Sequence, residues 1–141
     1  MKKVLIIDDD EKVARALDLR VKSAGYQSVV AYDAVNGVVA AANVKPDAVL
    51  LDISMPGGNG FAVAQRIHSI LSNQIPIIFI TASRKPGLFE RAHNLGASGF
   101  IEKPYNPETL LQLLRRLLDK SPDLPMPRTD GPRCFYGERT R

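Results

Sequence analysis

Short uninterrupted apolar runs alternate along the chain with longer stretches in which apolar residues recur every three or four positions. The runs are VLII (4–7), SVVAY (28–32), AVLLDI (48–53), IPIIFIT (75–81) and SGFIEK (98–103). Most are continuous rather than alternating, which is the pattern of strands buried on both faces of a parallel sheet. Between them, Val13, Leu17 and Val21 lie four apart on one helical stripe, and Phe61, Ala64, Ile67 and Leu71 form a second. DAVNGVVAAAN predicts an Ala-rich helix containing Gly37, and residues 87–95 predict a short helix stopped by Gly96. A last helix over about 107–119 opens with NPET, Asn106 serving as N-cap and Pro107 as the first helical residue.

Five strand–helix units in alternation predict an α/β doubly wound fold, a five-stranded parallel sheet with helices on both faces. In such sheets ligands bind beyond the carboxyl ends of the strands, near the point where strand order reverses. Every residue that ends a strand is therefore a candidate for the site.

Bulk properties narrow the class. The 141 residues suffice for one domain with a proper core. No apolar run reaches the length of a membrane span, and MKKVLIID lacks the apolar stretch of a signal peptide, so a cytoplasmic location is expected. The one cysteine, Cys134, forbids an internal disulfide and suits a reducing compartment. A formal charge of +4, without a dense basic patch, gives no direct sign of nucleic-acid binding. After Lys120 the character changes: residues 121–141 hold four of the ten prolines and no apolar period. The expected organisation is a domain over 1–120 and a flexible Pro-rich tail or truncated linker over 121–141.

The strand ends carry the chemistry. The first gives Asp8, Asp9 and Asp10, the third Asp52, the fourth Thr81 and the fifth Lys103. Three adjacent carboxylates repel one another, and two readings accommodate them: a helix start, with Asp10 as cap, or a cation site. Hard divalent cations such as Mg²⁺ take carboxylate and carbonyl oxygens, and lysine and threonine donate to phosphoryl oxygens. A central carboxylate can act as a nucleophile.

The set LIIDDD…DAVLLDISMPGGNG…IPIIFITA…GASGFIEKPYNPETLL resembles, in order, residue type and spacing, the receiver domain of two-component response regulators of the chemotaxis-regulator type. The resemblance covers residues 1 to about 120, with DxxMPxxxG its most specific element. It implies the flavodoxin-like strand order 2-1-3-4-5, with Asp52 as phosphoacceptor from a sensor histidine kinase or phosphotransfer protein. It implies Mg²⁺ held by Asp9, Asp8, Asp52 and the backbone carbonyl of Ser54. Thr81 would move to hydrogen-bond the phosphoryl group, Lys103 would pair with it, and Phe100 would occupy the aromatic switch position. Lys103–Pro104 is the expected cis bond. Asp8 and Asp9 then serve the cation, while Asp10 caps the first helix.

Blander roles stand beside these. Asp52 suits a turn, Thr81 the end of a strand, and Phe100 the core. Gly57, Gly58 and Gly60 supply backbone freedom but lack P-loop spacing. His68 and His93 read as partly exposed helix residues without a zinc set. In the last helix, Leu110, Leu114, Leu117 and Leu118 make a core stripe, while Leu111 and Leu113 lie off it. Those two are expected at the boundary, or on a homodimer or output surface formed by the fourth helix, fifth strand and last helix.

The expected function is a phosphorylation-operated switch, not an enzyme. An aspartate-nucleophile phosphatase would carry a second Asp two residues after the first, where Ser54 stands. A phosphorylation-independent interaction module should show losses at Asp52, Thr81 or Lys103, and all three are present.

Overall fold

The computed structural model describes residues 1–55, 58–72, 74–119 and 134–136. Five parallel strands, β1 (Lys3–Ile7), β2 (Gln27–Ala31), β3 (Ala48–Asp52), β6 (Ile77–Thr81) and β7 (Gly99–Glu102), form the sheet in the order β2-β1-β3-β6-β7. Between β3 and β6 lies a small antiparallel pair, β4 (Ser54–Met55) with β5 (Gly58–Asn59). Counting the parallel strands alone, the order is the expected 2-1-3-4-5.

The helices are α1 (Glu11–Ser23), α2 (Ala34–Val44), α3 (Gly60–Ile70), α4 (Leu88–Asn94) and α5 (Pro107–Asp119). Strand side chains alternate between the two faces, so each strand feeds two cores. Leu5, Ile7, Val49, Leu51 and Phe79 pack with residues of α2, α3 and α4 on one face. Val4, Ile6, Leu50, Ile78 and Ile101 pack with α1 and α5 on the other. This double burial is why β3 and β6 are buried at every position and read as continuous apolar runs.

Local chemistry sets the helix boundaries. Asp10 caps α1, its carboxylate accepting from the N–H groups of Lys12 (3.1 Å) and Val13 (3.2 Å). Asp33 and Asn59 cap α2 and α3 in the same way. The Asn106 side chain accepts from the N–H of Glu108 at 2.9 Å, as expected from NPET. Gly96, just past α4, has φ +82°, a conformation suited to glycine.

Two expectations need correction. Leu111 and Leu113 are buried, and Leu117 is only partly so. The reason is tertiary: α5 packs on the sheet and against α1 together, so its apolar arc is wider than one stripe. Leu113 also reaches Gly99, where an added Cβ would stand 2.7 Å from its Cδ2. The two leucines therefore supply no surplus apolar surface. Secondly, Cys134–Tyr136, within the segment expected to be flexible, form strand β8, which pairs antiparallel with β7 (Phe100 opposite Phe135). The remainder of 121–141 lies outside the described residues. Among the described residues no helix is long and apolar enough to cross a membrane.

Candidate functional site

The strand order reverses between β1 and β3: α1 carries the chain outward to β2, and α2 returns it across β1 to β3. Ile7 of β1 is the register partner of Leu51 in β3, so the residues following each emerge side by side. Carboxylate oxygens of Asp8, Asp9 and Asp52 lie within 4.8 Å of one another there. Asp8 and Asp52 are buried, and Asp9 is exposed at the rim.

Each buried carboxylate has partners. Asp8 Oδ1 accepts from the N–H of Asp10 (2.9 Å), and its Oδ2 accepts from Lys103 Nζ (3.2 Å). Lys103 follows the end of β7, so its ammonium spans the width of the site and holds Asp8 rather than Asp52. Asp52 Oδ1 accepts from the N–H of Ser54 at 3.2 Å. Burial pushes the Asp52 carboxyl up to about 7, and the negative charge of Asp8 adds to the rise. Lys103 and the Ser54 N–H oppose it, and Asp9 contributes a further small rise. Burial and Asp8 likewise push the Tyr105 phenol up.

Three close carboxylates, of which Asp52 is pushed up by burial and by Asp8, fit a hard dication. Oxygen donors suit Mg²⁺, and a dication would offset the repulsion that raises Asp52. Asp10, the third of the triplet, is committed to the α1 cap and lies outside the cluster. The cap reading of the triplet therefore holds for Asp10, while Asp8 and Asp9 stand with Asp52 in the acidic cluster.

Thr81 ends β6, fully buried, and its Oγ1 accepts from the N–H of Ser83 at 2.9 Å. Phe100 is 1% exposed and meets Phe89 of α4 edge-on, ring centroids 5.7 Å apart. The Lys103–Pro104 bond is cis, as expected. Ser54 is exposed in β4 beside Asp52. His68 Nε2 lies 3.1 Å from the carbonyl oxygen of Ile75, and His93 stacks on Phe89, so both are occupied structurally. Pro56 and Gly57, part of the most specific motif, lie outside the described residues.

Sequence reasoning missed three features. Gly60 is not merely flexible: a Cβ there would stand 2.7 Å from the Asp52 carbonyl oxygen and 2.7 Å from Ile53 Cα. Arg84, an unremarked loop residue, pairs with buried Glu102 at 2.9 Å. An apolar groove of about 580 Å³ opens beside Lys103, lined by Val13, Leu17, Arg20, Ala82 and Tyr105 among others. Only the groove has a sequence signal, the Val13–Leu17 stripe of α1.

The geometry agrees with comparisons to known proteins. The chain is 30% identical over 126 residues to the DNA-binding dual master transcriptional regulator RpaA of Synechocystis, covering 89% of this chain and 52% of that protein. It is 35% identical over 130 residues to the response regulator MprA of a Mycobacterium species, covering 87% and 55%. It thus spans about half the length of the curated relatives it matches. Among solved structures, a CheY-like receiver domain protein from Methanospirillum hungatei superposes with a TM-score of 0.80 at 27% identity, covering 85% of this chain and 95% of that one. The chemotaxis protein CheY4 of Vibrio cholerae gives 0.78 at 30%, covering 84% and 99%. The response regulator receiver domain model matches residues 4–115, and the chain belongs to that family.

Proposed function

We propose that this chain is a phosphorylation-operated switch in which Asp52 takes a phosphoryl group from the phosphohistidine of a sensor kinase or phosphotransfer protein. The observation that carries the reading is the convergence of Asp8, Asp9 and Asp52 within 4.8 Å, with Lys103 reaching across from the far strand to Asp8.

In the transfer, an Asp52 oxygen forms a bond to phosphorus as the phosphorus–nitrogen bond breaks, and the electron pair leaves on the imidazole. The attacking oxygen must be ionised. A carboxyl poised at about 7 is only partly so at neutral pH, and a dication at the cluster would complete its ionisation. Asp9, Asp52, the Ser54 carbonyl and Asp8 are the residues that would hold Mg²⁺, which supplies charge stabilisation to phosphoryl oxygens. Lys103 exchanges Asp8 for the new phosphoryl oxygens, and the Thr81 hydroxyl donates to another. The phosphoryl group thereby favours one arrangement of two.

The donor approaches over the groove beside Lys103, whose apolar lining suits a helical partner carrying the phosphohistidine. The output face is the outward surface of α4 and α5 on either side of β7, whose edge β8 covers, with buried Phe100 as the packing element that responds. Residues 1–120 form the switch unit, working in the cytoplasm, and the Pro-rich segment beyond is a tail or linker that contributes β8 to the sheet. A phosphatase reading is disfavoured by Ser54, and an inert interaction module by the intact set of Asp52, Thr81 and Lys103.

Intact-mass spectrometry after incubation with acetyl phosphate tests the proposal. One phosphoryl addition that requires both Mg²⁺ and Asp52, and is absent in Asp52→Asn, is expected. A folded wild-type protein that gains no mass would favour the inert module.

A further inference from the structure

Among the described residues the buried polar side chains are Asp8, Asp52, Thr81 and Glu102. The first three belong to the site just described. Glu102 is the last residue of β7, immediately before Lys103, and it is the register partner of Thr81 across the β6–β7 ladder. Its carboxylate accepts from Arg84 Nη1 at 2.9 Å, while Arg84 Nη2 lies 3.4 Å from the Lys103 carbonyl oxygen.

Arg84 stands three residues after Thr81. The ion pair therefore closes a short ring: from Thr81 along the loop to Arg84, across to Glu102, and back through the ladder to Thr81. The Lys103 N–H donates to the Thr81 carbonyl at 2.7 Å and tightens the same ring. Inside it, the Ser83 N–H donates to Thr81 Oγ1. The loop that engages the Thr81 hydroxyl is thus tied to the segment that carries Lys103.

We propose that Arg84 is a positioning residue: paired with Glu102, it holds the loop after β6 in the arrangement that engages Thr81 with Ser83, and so restrains phosphoryl uptake at Asp52. The inference rests on the reading of Asp52 as phosphoacceptor. For Thr81 to turn to a phosphoryl oxygen, the loop must give up the Ser83 contact, and the ion pair opposes that movement. A partner lost from a buried carboxylate costs more than an exposed pair, although the Arg84 side chain, 61% exposed, is partly screened. Loosening the ring enlarges the fraction of molecules in the competent arrangement, and the apparent rate scales with that fraction.

The test measures the rate of Asp52 phosphorylation by acetyl phosphate, with Mg²⁺, in the full chain. Arg84→Ala and Glu102→Gln are each expected to raise it roughly three- to tenfold. Arg84→Lys should give a smaller rise, and the reversed pair Arg84→Glu with Glu102→Arg should return toward the wild-type rate. Without phosphodonor, amide hydrogen exchange at Ser83 should quicken in the two single variants while exchange in β1 and β3 stays unchanged. A purely structural role would instead quicken exchange throughout the sheet and slow labelling, which would overturn the inference. Labelling rates equal in wild type and both single variants would overturn it alone. Absence of Mg²⁺-dependent labelling of the wild type would overturn the receiver reading, and the inference with it.

Discussion

Gly60 lies against the backbone of Asp52, so close that the first carbon of any side chain would stand 2.7 Å from the Asp52 carbonyl oxygen. The Gly60 N–H also donates to the Ile53 carbonyl at 2.9 Å, fastening the start of α3 to the end of β3. The obstacle is backbone on both sides and cannot rotate away. Gly60→Ala should therefore destabilise the fold by roughly 1–3 kcal/mol and displace Asp52. Urea unfolding together with acetyl phosphate labelling checks this. Unchanged stability and labelling would mean that the two segments separate more easily than their contact distances suggest.

Asp52 makes stability depend on pH in the sense opposite to an ordinary paired carboxylate. Its carboxyl is pushed from 3.8 to about 7 in the native state, mainly by burial and then by Asp8. Between those values the native state holds more protons than the unfolded chain, so stability falls as pH rises through the window. In chelator, Asp52→Asn should match wild type near pH 4 and exceed it progressively toward pH 8, by on the order of 2–4 kcal/mol. Saturating Mg²⁺ should stabilise wild type at pH 8 and narrow the gap. A pH-independent difference between the two proteins would show that Asp52 ionises normally.

The adjacent acids Asp9 and Asp10 should separate by experiment. Asp10→Ala removes the α1 cap and should cost about 1 kcal/mol, while the stabilisation by Mg²⁺ persists. Asp9→Asn should leave metal-free stability nearly unaltered and abolish most of the Mg²⁺ response. Thermal unfolding with and without the metal distinguishes them, and a reversed pattern would exchange their roles.

Ser54 is exposed beside Asp52 and bonds it through its N–H, so its side chain is free to vary without breaking that contact. Bulkier or charged replacements should alter the lifetime of the phosphorylated form by on the order of tenfold, equivalent to about 1.4 kcal/mol in barrier. Mg²⁺ affinity should change less. Equal decay rates across Ser54→Ala, Ser54→Glu and Ser54→Phe would remove it from the path of attacking water.

The sequence carried the sheet and the strand-end chemistry because both depend on local pattern. Continuous apolar runs mark doubly buried strands, and a polar residue that ends such a run must face the carboxyl edge. What escaped it depends on relations between distant segments. Leu111 and Leu113 are buried because α5 meets α1 as well as the sheet, and no single-helix stripe expresses two neighbours. Glu102 and Arg84 meet because Thr81 and Glu102 share a register position, which no spacing along the chain encodes. The strand at Cys134–Tyr136 is three residues long within a Pro-rich stretch, too short to show a period.

That short strand changes how β7 can be approached. With β6 on one side and β8 on the other, the hydrogen-bonding edge of β7 is occupied by a segment of the same chain. Because β8 belongs to the same chain, its pairing with β7 is intramolecular, and such pairing carries an effective concentration on the order of millimolar. A partner that docked by adding a strand would have to outcompete this internal rival. Recognition on that side of the molecule thus falls to the outward surfaces of α4 and α5, by side-chain shape and charge rather than by backbone ladder.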